Sequence, residues 1–181
     1  MLVFYSIDNE LFLTIWFVYE SAFLISNLEK SHKDIWVITQ NIDGMHQRAG
    51  SKNVVELHGS VWRLRCDYCD IIIKDHSSEH YNNWKCNNDH WLRPDIVWFN
   101  DFLIPAITQK ADEIISQSDL FISIGTSGVV WPAAGFPQIA RSNGATLIEI
   151  NPAPSEQNDL YDHVFRGKAS DMLNTILGKS K

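Results

Sequence analysis

Three cysteines have the spacing of a zinc site. Cys66 and Cys69 are separated by two residues, which lets both thiolates bind one Zn²⁺, and Cys86 follows in the same polar stretch. A structural zinc ion takes four ligands, and Asp89 stands where the second cysteine of another two-residue spacing would be. The predicted metal ligands are Cys66, Cys69, Cys86 and Asp89.

The fourth ligand of this predicted site has an alternative. His90 directly follows Asp89, and an imidazole nitrogen is also a zinc ligand. His76 and His80 are weaker candidates in the same stretch. The other interpretation is a segment that holds no metal and keeps three free thiols.

A histidine at the end of a predicted strand is the candidate general base. His58 is followed by Gly59, and a glycine allows another backbone to approach closely. An imidazole has a pKa near neutrality, which suits proton transfer at physiological pH. A lone histidine is more often structural, so the residue by itself leaves both interpretations open.

Two polar turns follow buried strands and are the candidate ligand-binding segments. Gln40–Asp43 (QNID) comes directly after a β-branched run, and its amide and carboxylate groups suit a carboxamide or a sugar. The turn Gly125–Ser127 offers amide and hydroxyl donors that suit a phosphate or ribose, and the next strand ends at Asn151. The alternatives are an ordinary strand-to-helix turn at Gly125 and helix capping by Asp43.

The elements that must position these residues predict an α/β fold. Strands are predicted at 35–39, 54–57, 120–124 and 145–150, and helices over 132–141 and after Gly44 up to about Ala49. A strand, a glycine turn, a helix and a strand in succession form a βαβ unit, which indicates a Rossmann-like parallel sheet. Residues 62–92 are predicted to be a small zinc-binding insertion, and the apolar run 11–19 a buried helix.

Composition excludes several classes of protein. The formal net charge is −7 with no basic cluster, which argues against nucleic acid as a partner. The apolar run at 11–19 is too short to cross a bilayer and lacks the basic flank of a signal peptide, so no membrane partner is expected. An odd number of cysteines favours free or metal-bound thiols and a cytoplasmic location.

Together these segments resemble the sirtuin family of NAD-dependent protein-lysine deacylases. The order and spacing of so many matches make the resemblance specific, and it extends over residues 28–178. The matching segments are Val37–Ser51, Val55–Gly59, Leu92–Phe99, Ile124–Ser127, Pro132–Ala134, Ile150–Asn151 and Gly167–Ala169.

The resemblance implies an activity and a role for each residue. In such enzymes the acyl oxygen of an acylated lysine attacks the ribose carbon of NAD that bears nicotinamide, and the acyl group passes to ADP-ribose. His58 would be the general base on a ribose hydroxyl, the strand Val97–Phe99 would pair with the acylated-lysine peptide, and the zinc ion would be structural. The implied NAD-binding residues are Gln40, Asn41, Ile42, Asp43, Gly125, Thr126, Ser127, Asn151 and Ala169.

The sequence departs from the family pattern near its start. The family's glycine-rich segment of the type GAGIS has no counterpart, so we expect a catalytic domain over 1–181 that is partial, with a sheet truncated at its N-terminal side and an unpaired strand position. Tyr5 is followed by Asp8, a negative charge where a succinyl group would need a cation, which favours simple deacetylation. Phe99–Asp101 replaces the family's Phe-Gly-Glu turn. The alternatives are an inactive remnant that acts as a binding module and a small metal-binding interaction domain.

Overall fold

A computed structural model describes residues 3–4, 13–32, 34–69, 71–74, 84–98 and 101–177, with side chains from residue 20 onward. The predictions that rest on Tyr5, Asp8, His76, His80 and the pair 99–100 lie outside the described residues. The side chains of the apolar run 11–19 lie outside them as well.

Helices and strands alternate along most of the chain. The described helices are α1 Leu13–Ser31, α2 Met45–Arg48, α3 Pro105–Ser116, α4 Phe136–Ser142 and α5 Ala169–Ile176. The described strands are β1 Val3–Phe4, β2 Val37–Thr39, β3 Val54–Glu56, β4 Gly59–Cys66, β5 Ile72–Lys74, β6 Leu92–Ile96, β7 Leu120–Ile124, β8 Thr146–Ile150 and β9 His163–Phe165. Short 3₁₀ turns occur at Ala133–Gly135 and Asn158–Leu160.

The parallel sheet predicted from the βαβ pattern is confirmed. Within the described residues, strands pair in the order β1-β7-β8-β9, all parallel, and β2 pairs with β3 in parallel. β7 and β8 align from Leu120 opposite Thr146 to Ile124 opposite Ile150. Parallel strands place their carboxyl ends at one edge, so the turns after β2, β3, β7 and β8 can share a single crevice.

The strand position beside β7 is not unpaired, contrary to the expectation from the sequence. β1 pairs with β7 in parallel, with Val3 opposite Ile122 and Phe4 opposite Ser123. β1 also contacts β2, which places it between the two parallel groups of strands. An open strand edge presents unpaired N–H and C=O groups, and a short extended segment can pair with them. Residues 3–4 are such a segment.

The predicted bounds of the strands differ from the observed ones by at most two residues, and the helix after β7 differs more. A helix was predicted over 132–141, but a 3₁₀ turn covers Ala133–Gly135 and α4 begins at Phe136. Pro137 lacks an N–H group and fits only the first turn of an α-helix, which explains the late start. The predicted helix at 11–19 corresponds to the first part of α1, whose described residues begin at Leu13.

Apolar side chains cover both faces of the parallel sheet. Phe121 of β7 and Leu147 of β8 face α3 and α4, whereas Ile122, Ile124 and Ile150 face α1 and α5. This alternation follows from the two-residue period of a strand. The two buried layers hold the strand ends rigidly in place, which is the condition for a precise site at their carboxyl edge.

A separate antiparallel sheet lies between His58 and Val97. Its strands are in the order β5-β4-β6, and its own small core contains Leu64, Cys66, Cys86 and Leu92. The predicted insertion at 62–92 falls inside this sheet, whose strands extend from Gly59 to Ile96.

None of the described helices combines the length and the apolar character that crossing a bilayer requires, and this includes α1 with its 19 residues.

Candidate functional site

His58 lies where the parallel strands and the antiparallel sheet meet. β3 ends at Glu56, β4 begins at Gly59, and the imidazole is partly buried between them. The carbonyl oxygen of His58 accepts a hydrogen bond of 3.0 Å from the amide of Val97, directly after β6. The strands that enter and leave the antiparallel sheet are therefore joined at this histidine.

Gly59 makes this junction possible. Its φ is +75°, and a Cβ placed there would lie 2.0 Å from the carbonyl oxygen of Asp95 on β6. An L side chain would meet both the strained backbone conformation and the collision. The glycine next to His58 is thus required by the close approach of β4 and β6.

The backbone fixes the orientation of the imidazole. Nδ1 of His58 is 2.9 Å from the carbonyl oxygen of Gln40, and a carbonyl oxygen can only accept a hydrogen bond. Nδ1 of the neutral ring therefore carries the proton, and Nε2 keeps its lone pair. This is the tautomer that a general base needs at Nε2.

The loop after β2 reaches the turn after β7. Nε2 of Gln40 donates to Oγ1 of Thr126 at 3.5 Å, a long hydrogen bond between segments far apart in the sequence. The amide of Gly125 donates to the carbonyl oxygen of Ile150, and Nδ2 of Asn151 donates to the carbonyl oxygen of Thr126 at 2.7 Å. His58, Gln40, Thr126 and Asn151 are thereby linked in one polar network at the carboxyl edge.

Asn41 holds a buried donor with no acceptor. Only 9% of the residue is exposed, and Nδ2 has no hydrogen-bond partner among the described residues. Its backbone amide donates to Oγ1 of Thr39 at 3.0 Å, which fixes the start of the loop. A buried amide donor without a partner is a costly arrangement that a bound carbonyl group would relieve.

Asp43 precedes Gly44, which is the N-cap residue of α2, and its carboxylate contacts the start of the helix. Its Oδ1 accepts a hydrogen bond of 2.9 Å from the amide of Met45, the first residue of α2. The second carboxylate oxygen, Oδ2, takes no part in this hydrogen bond. Ile42 accepts a hydrogen bond from the amide of Val61, which joins the loop to β4.

Trp62 supports this loop, and the sequence analysis did not find it. Its indole N–H donates to the carbonyl oxygen of Asp43 at 2.6 Å, and the guanidinium of Arg48 lies 4.1 Å from the ring centroid. Gly44 has φ +68°, and a Cβ there would be 3.0 Å from Cδ1 of Trp62. No local sequence signal identifies such a tryptophan, because it acts across the boundary between two sheets.

Ala169 is at the same edge of the sheet but outside the polar network. It is the first residue of α5 and packs against the core layer below β8. The amide of Asn151 donates to the carbonyl oxygen of Phe165 at 3.1 Å, which brings the segment before α5 alongside Asn151.

Four potential metal ligands converge in the antiparallel sheet. One donor atom from each of Cys66, Cys69, Cys86 and His90 lies within 4.8 Å of the others, and Nδ1 of His90 is 3.3 Å from Sγ of Cys69. Tetrahedral ligands at the usual zinc distances are separated by about 3.6 Å, so this set fits Zn²⁺.

The structure favours His90 over Asp89 as the fourth ligand. The amide of Cys86 donates to the carbonyl oxygen of His90, and this turn returns the imidazole to the thiols. Asp89 adopts φ +63°, and its carboxylate lies 2.6 Å from Nζ of Lys85 with 83% of the side chain exposed. The two-residue spacing that placed Asp89 first does not account for this turn.

β6 ends at Ile96, before Val97, and the pairing of Val97–Phe99 with a peptide stays a prediction. The carbonyl oxygen of Trp98 accepts a hydrogen bond of 2.9 Å from the amide of Asp101. Its own amide donates to Oδ2 of Asp101 at 3.3 Å. Both backbone groups of Trp98 are therefore bonded to Asp101.

A model of the Sir2 family matches residues 2–132 of the chain. The chain belongs to the Sir2 family. Among its relatives is "NAD-dependent protein deacylase 2" of Pyrobaculum aerophilum, which is 43% identical over 162 residues, covering 88% of this chain and 64% of the relative. This Sir2-family chain therefore spans a little less than two thirds of that relative's length.

Two solved structures of Sir2 proteins have the same fold as this chain and are at least 30% identical to it in sequence. A Sir2 homologue in complex with NAD has a TM-score of 0.82 and 35% identity, covering 88% of this chain and 63% of that one. A complex described as Sir2, p53 peptide and NAD⁺ has a TM-score of 0.79 and 30% identity, covering 88% and 69%. The Sir2 fold is thus shown for this chain.

Proposed function

We propose that this Sir2-family chain is an NAD-dependent protein-lysine deacetylase, which transfers the acyl group to ADP-ribose and releases nicotinamide. The polar network that links His58, Gln40, Thr126 and Asn151 carries the proposal. It joins residues from four strand ends at the edge where α/β folds bind dinucleotides.

The chain's own residues supply binding, orientation and proton transfer. NAD, when bound, provides the ribose carbon from which nicotinamide departs. Nε2 of His58 takes a proton from a ribose hydroxyl, because Nδ1 is committed to the Gln40 carbonyl oxygen. The Nδ2 donor of Asn41 fits the carboxamide oxygen of nicotinamide, and the orphaned state of that donor supports this assignment. The proposed NAD-binding residues are Gln40, Asn41, Ile42, Asp43, Gly125, Thr126, Ser127, Asn151 and Ala169.

The proposed partner is a protein or peptide that carries an acetylated lysine. The solved Sir2 complex with a p53 peptide supports a peptide partner for this family. Trp98, Phe102 and the run Val129–Trp131 expose large apolar surface next in sequence to site segments, and exposed apolar surface of this kind marks binding sites. Acetyl is the proposed acyl group, on the charge argument made for residues 5–8.

The proposed zinc site is structural and uses Cys66, Cys69, Cys86 and His90. All four ligands come from the protein, on β4 and on the turns beside it, which leaves no open position for a reacting water. The segment 62–92 is the proposed zinc-binding module of a catalytic domain that includes the whole chain. Three thiolate ligands require reduced cysteines, which supports a cytoplasmic location.

The proposal is tested by incubating the full chain with NAD and an acetyl-lysine peptide and by measuring both nicotinamide release and peptide deacetylation. We expect both products in equal amounts. The His58→Ala variant should lose activity by on the order of 100-fold or more, because the general base is absent. The matched control is His32→Ala, which changes an exposed histidine on another part of the surface.

Two outcomes would contradict the proposal in different ways. Activity that survives His58→Ala would remove the base assignment. A folded wild-type chain that is stabilised by ADP-ribose but releases no nicotinamide would favour the alternative of a binding module, since a ligand stabilises the state to which it binds.

A further inference from the structure

A buried carboxylate lies beneath the proposed nucleotide edge. Glu149 of β8 is 1% exposed, and it is flanked by Ser123 of β7 and Val164 of β9. Neither carboxylate oxygen has a donor in hydrogen-bonding geometry among the described residues. A buried charge in this situation needs a cation close by.

Arg166 supplies that cation and also binds the loop above it. Its Nη1 lies 2.6 Å from Oε2 of Glu149, and the Arg166 side chain is 31% exposed. Nη1 also donates to the carbonyl oxygens of Asn151 and Ala153 at 3.4 and 3.1 Å, and Nη2 donates to Oδ1 of Asn158. One guanidinium therefore connects the buried strand to three points of the loop 151–158.

The loop 151–158 is in turn bonded to the glycine turn after β7. Asn151 donates to the carbonyl oxygen of Thr126, and the amide of Glu156 donates to the carbonyl oxygen of Ser127 at 3.1 Å. Nε2 of Gln157 donates to the carbonyl oxygens of Gly128 at 3.1 Å and Ala134 at 2.7 Å. A shift of the loop 151–158 would thus move the turn that follows β7.

We infer that Arg166 is a positioning residue for the adenosine half of the dinucleotide site. This inference rests on the proposed function, because it assigns the ligand at this edge to NAD. Arg166 holds the loop 151–158, and through it the turn 125–128, in the arrangement that receives the nucleotide. The ion pair with Glu149 anchors the guanidinium from below, where water is excluded.

Arginine is required because the contacts have a fork geometry. A guanidinium has five N–H donors in one plane and can bind a carboxylate and several carbonyl oxygens together. A lysine at position 166 keeps a positive charge near Glu149 but has one nitrogen, which cannot reach all of these acceptors. Arg166→Lys therefore separates the ion pair from the positioning of the loop.

The experiment compares Arg166→Lys, Arg166→Met and Glu149→Gln with Arg141→Met in the full chain. Arg141 is the matched control, because it is a partly exposed arginine on α4 that pairs with Asp162 at 2.9 Å. Hydrogen exchange of the unliganded protein is measured at the amides of 126–128 and 151–158. ADP-ribose affinity is measured by calorimetry, and KM for NAD and kcat by nicotinamide release.

We expect Arg166→Lys to keep its Tm within about 2 °C of the wild type, while the two loops exchange faster. ADP-ribose affinity should fall about tenfold, equivalent to a loss of one or two hydrogen bonds. KM for NAD should rise by a similar factor, with kcat within about twofold, because the reacting end is unchanged. If Arg166→Met or Glu149→Gln does not fold, Arg166→Lys still gives the answer.

Unchanged exchange of both loops in Arg166→Lys, relative to Arg141→Met, would overturn the inference. A fall in affinity together with a Tm more than about 2 °C below that of the wild type would also overturn it, because a residue with only a structural role behaves in that way. A wild-type chain that binds ADP-ribose but releases no nicotinamide contradicts the proposed function. The ADP-ribose affinities of the variants then still decide whether Arg166 positions the loop. A chain that binds no ADP-ribose overturns the nucleotide assignment itself.

Discussion

A buried polar atom without a partner lowers the stability of a protein, and Asn41 carries such an atom at the centre of the proposed nicotinamide pocket. Its Nδ2 has no acceptor among the described residues. The cost of such a group, about 1–3 kcal/mol, is accepted in the unliganded protein and recovered when a ligand supplies an acceptor. Stability and binding therefore oppose each other at this residue.

Replacement of Asn41 by leucine should reverse that balance. We expect Asn41→Leu to raise the free energy of unfolding of the unliganded chain by about 1 kcal/mol and to weaken NAD binding. The control is Asn53→Leu, since Nδ2 of Asn53 donates to the carbonyl oxygen of Ile35 at 3.1 Å and its loss should destabilise the chain. Denaturant unfolding and calorimetric titration measure both quantities. Destabilisation of the unliganded chain by Asn41→Leu would contradict the idea.

Gly59 allows a second comparison at the residue scale. Gly59→Ala should lower the free energy of unfolding by roughly 3 kcal/mol or more, because a Cβ meets both positive φ and the Asp95 carbonyl oxygen. Gly144→Ala is the matched control: its φ is +87°, and a Cβ there would have no heavy atom within 4 Å. That variant should lose only about 1 kcal/mol. Equal losses in denaturant unfolding would show that the contact with β6 does not matter.

At the scale of elements, the antiparallel sheet couples a metal site to the candidate base. β4 begins directly after His58, and Val97, which follows β6, donates to the His58 carbonyl oxygen. The four metal ligands lie at the other end of the same strands and the turn between them. A zinc ion bound by these ligands would therefore stabilise the strands that hold the histidine backbone.

The identity of the fourth ligand can be decided with neighbouring residues. We expect His90→Ala to weaken zinc binding by on the order of 100-fold, because one of four ligands is lost. Asp89→Ala should retain about one zinc ion per chain, since the Asp89 carboxylate pairs with Lys85 at the surface. Metal analysis after competition with a chromophoric chelator gives both affinities. Loss of zinc in Asp89→Ala alone would restore the ligand first chosen from spacing.

Sequence patterns predicted the elements better than the contacts between them. The strand at Leu120–Ile124 was predicted with its observed bounds, because a β-branched run between polar turns is a local signal. The set of residues at the carboxyl edge followed from the resemblance and from the rule that parallel strands end together. His90, Trp62 and Arg166 depend on turns and on packing between sheets, and no local pattern encodes those.

At the scale of the whole molecule, a buried histidine makes stability depend on pH. Burial lowers the pKa of His46 on α2 to about 4, and the nearby Asp43 carboxylate opposes this shift in part. The unfolded chain therefore binds a proton at this residue more tightly than the folded chain. This contribution to stability is complete above the ordinary pKa of histidine and is lost as the pH falls towards 4.

As the pH falls from 6.5 to 4, we expect the free energy of unfolding to decrease by about 3 kcal/mol because of proton binding at His46. In His46→Gln the slope of stability against pH should be smaller over that window, whatever the absolute stability of the variant. The control His32→Gln, at an exposed histidine, should keep the wild-type slope. Denaturant unfolding at several pH values provides the comparison, and equal slopes in all three proteins would contradict the assignment to His46.

The junction of β4 and β6 at His58 has a consequence for how such a protein can diversify. Gly59 lies opposite Ile96 next to the imidazole, whereas Cys66 lies opposite Leu92 at the far end of the same two strands. Exposed residues at that far end, such as Tyr68 and Trp91, can change without any effect on the anchor of the histidine. The tip of the sheet can therefore acquire new surface for recognising other molecules while the chemistry at its base stays the same.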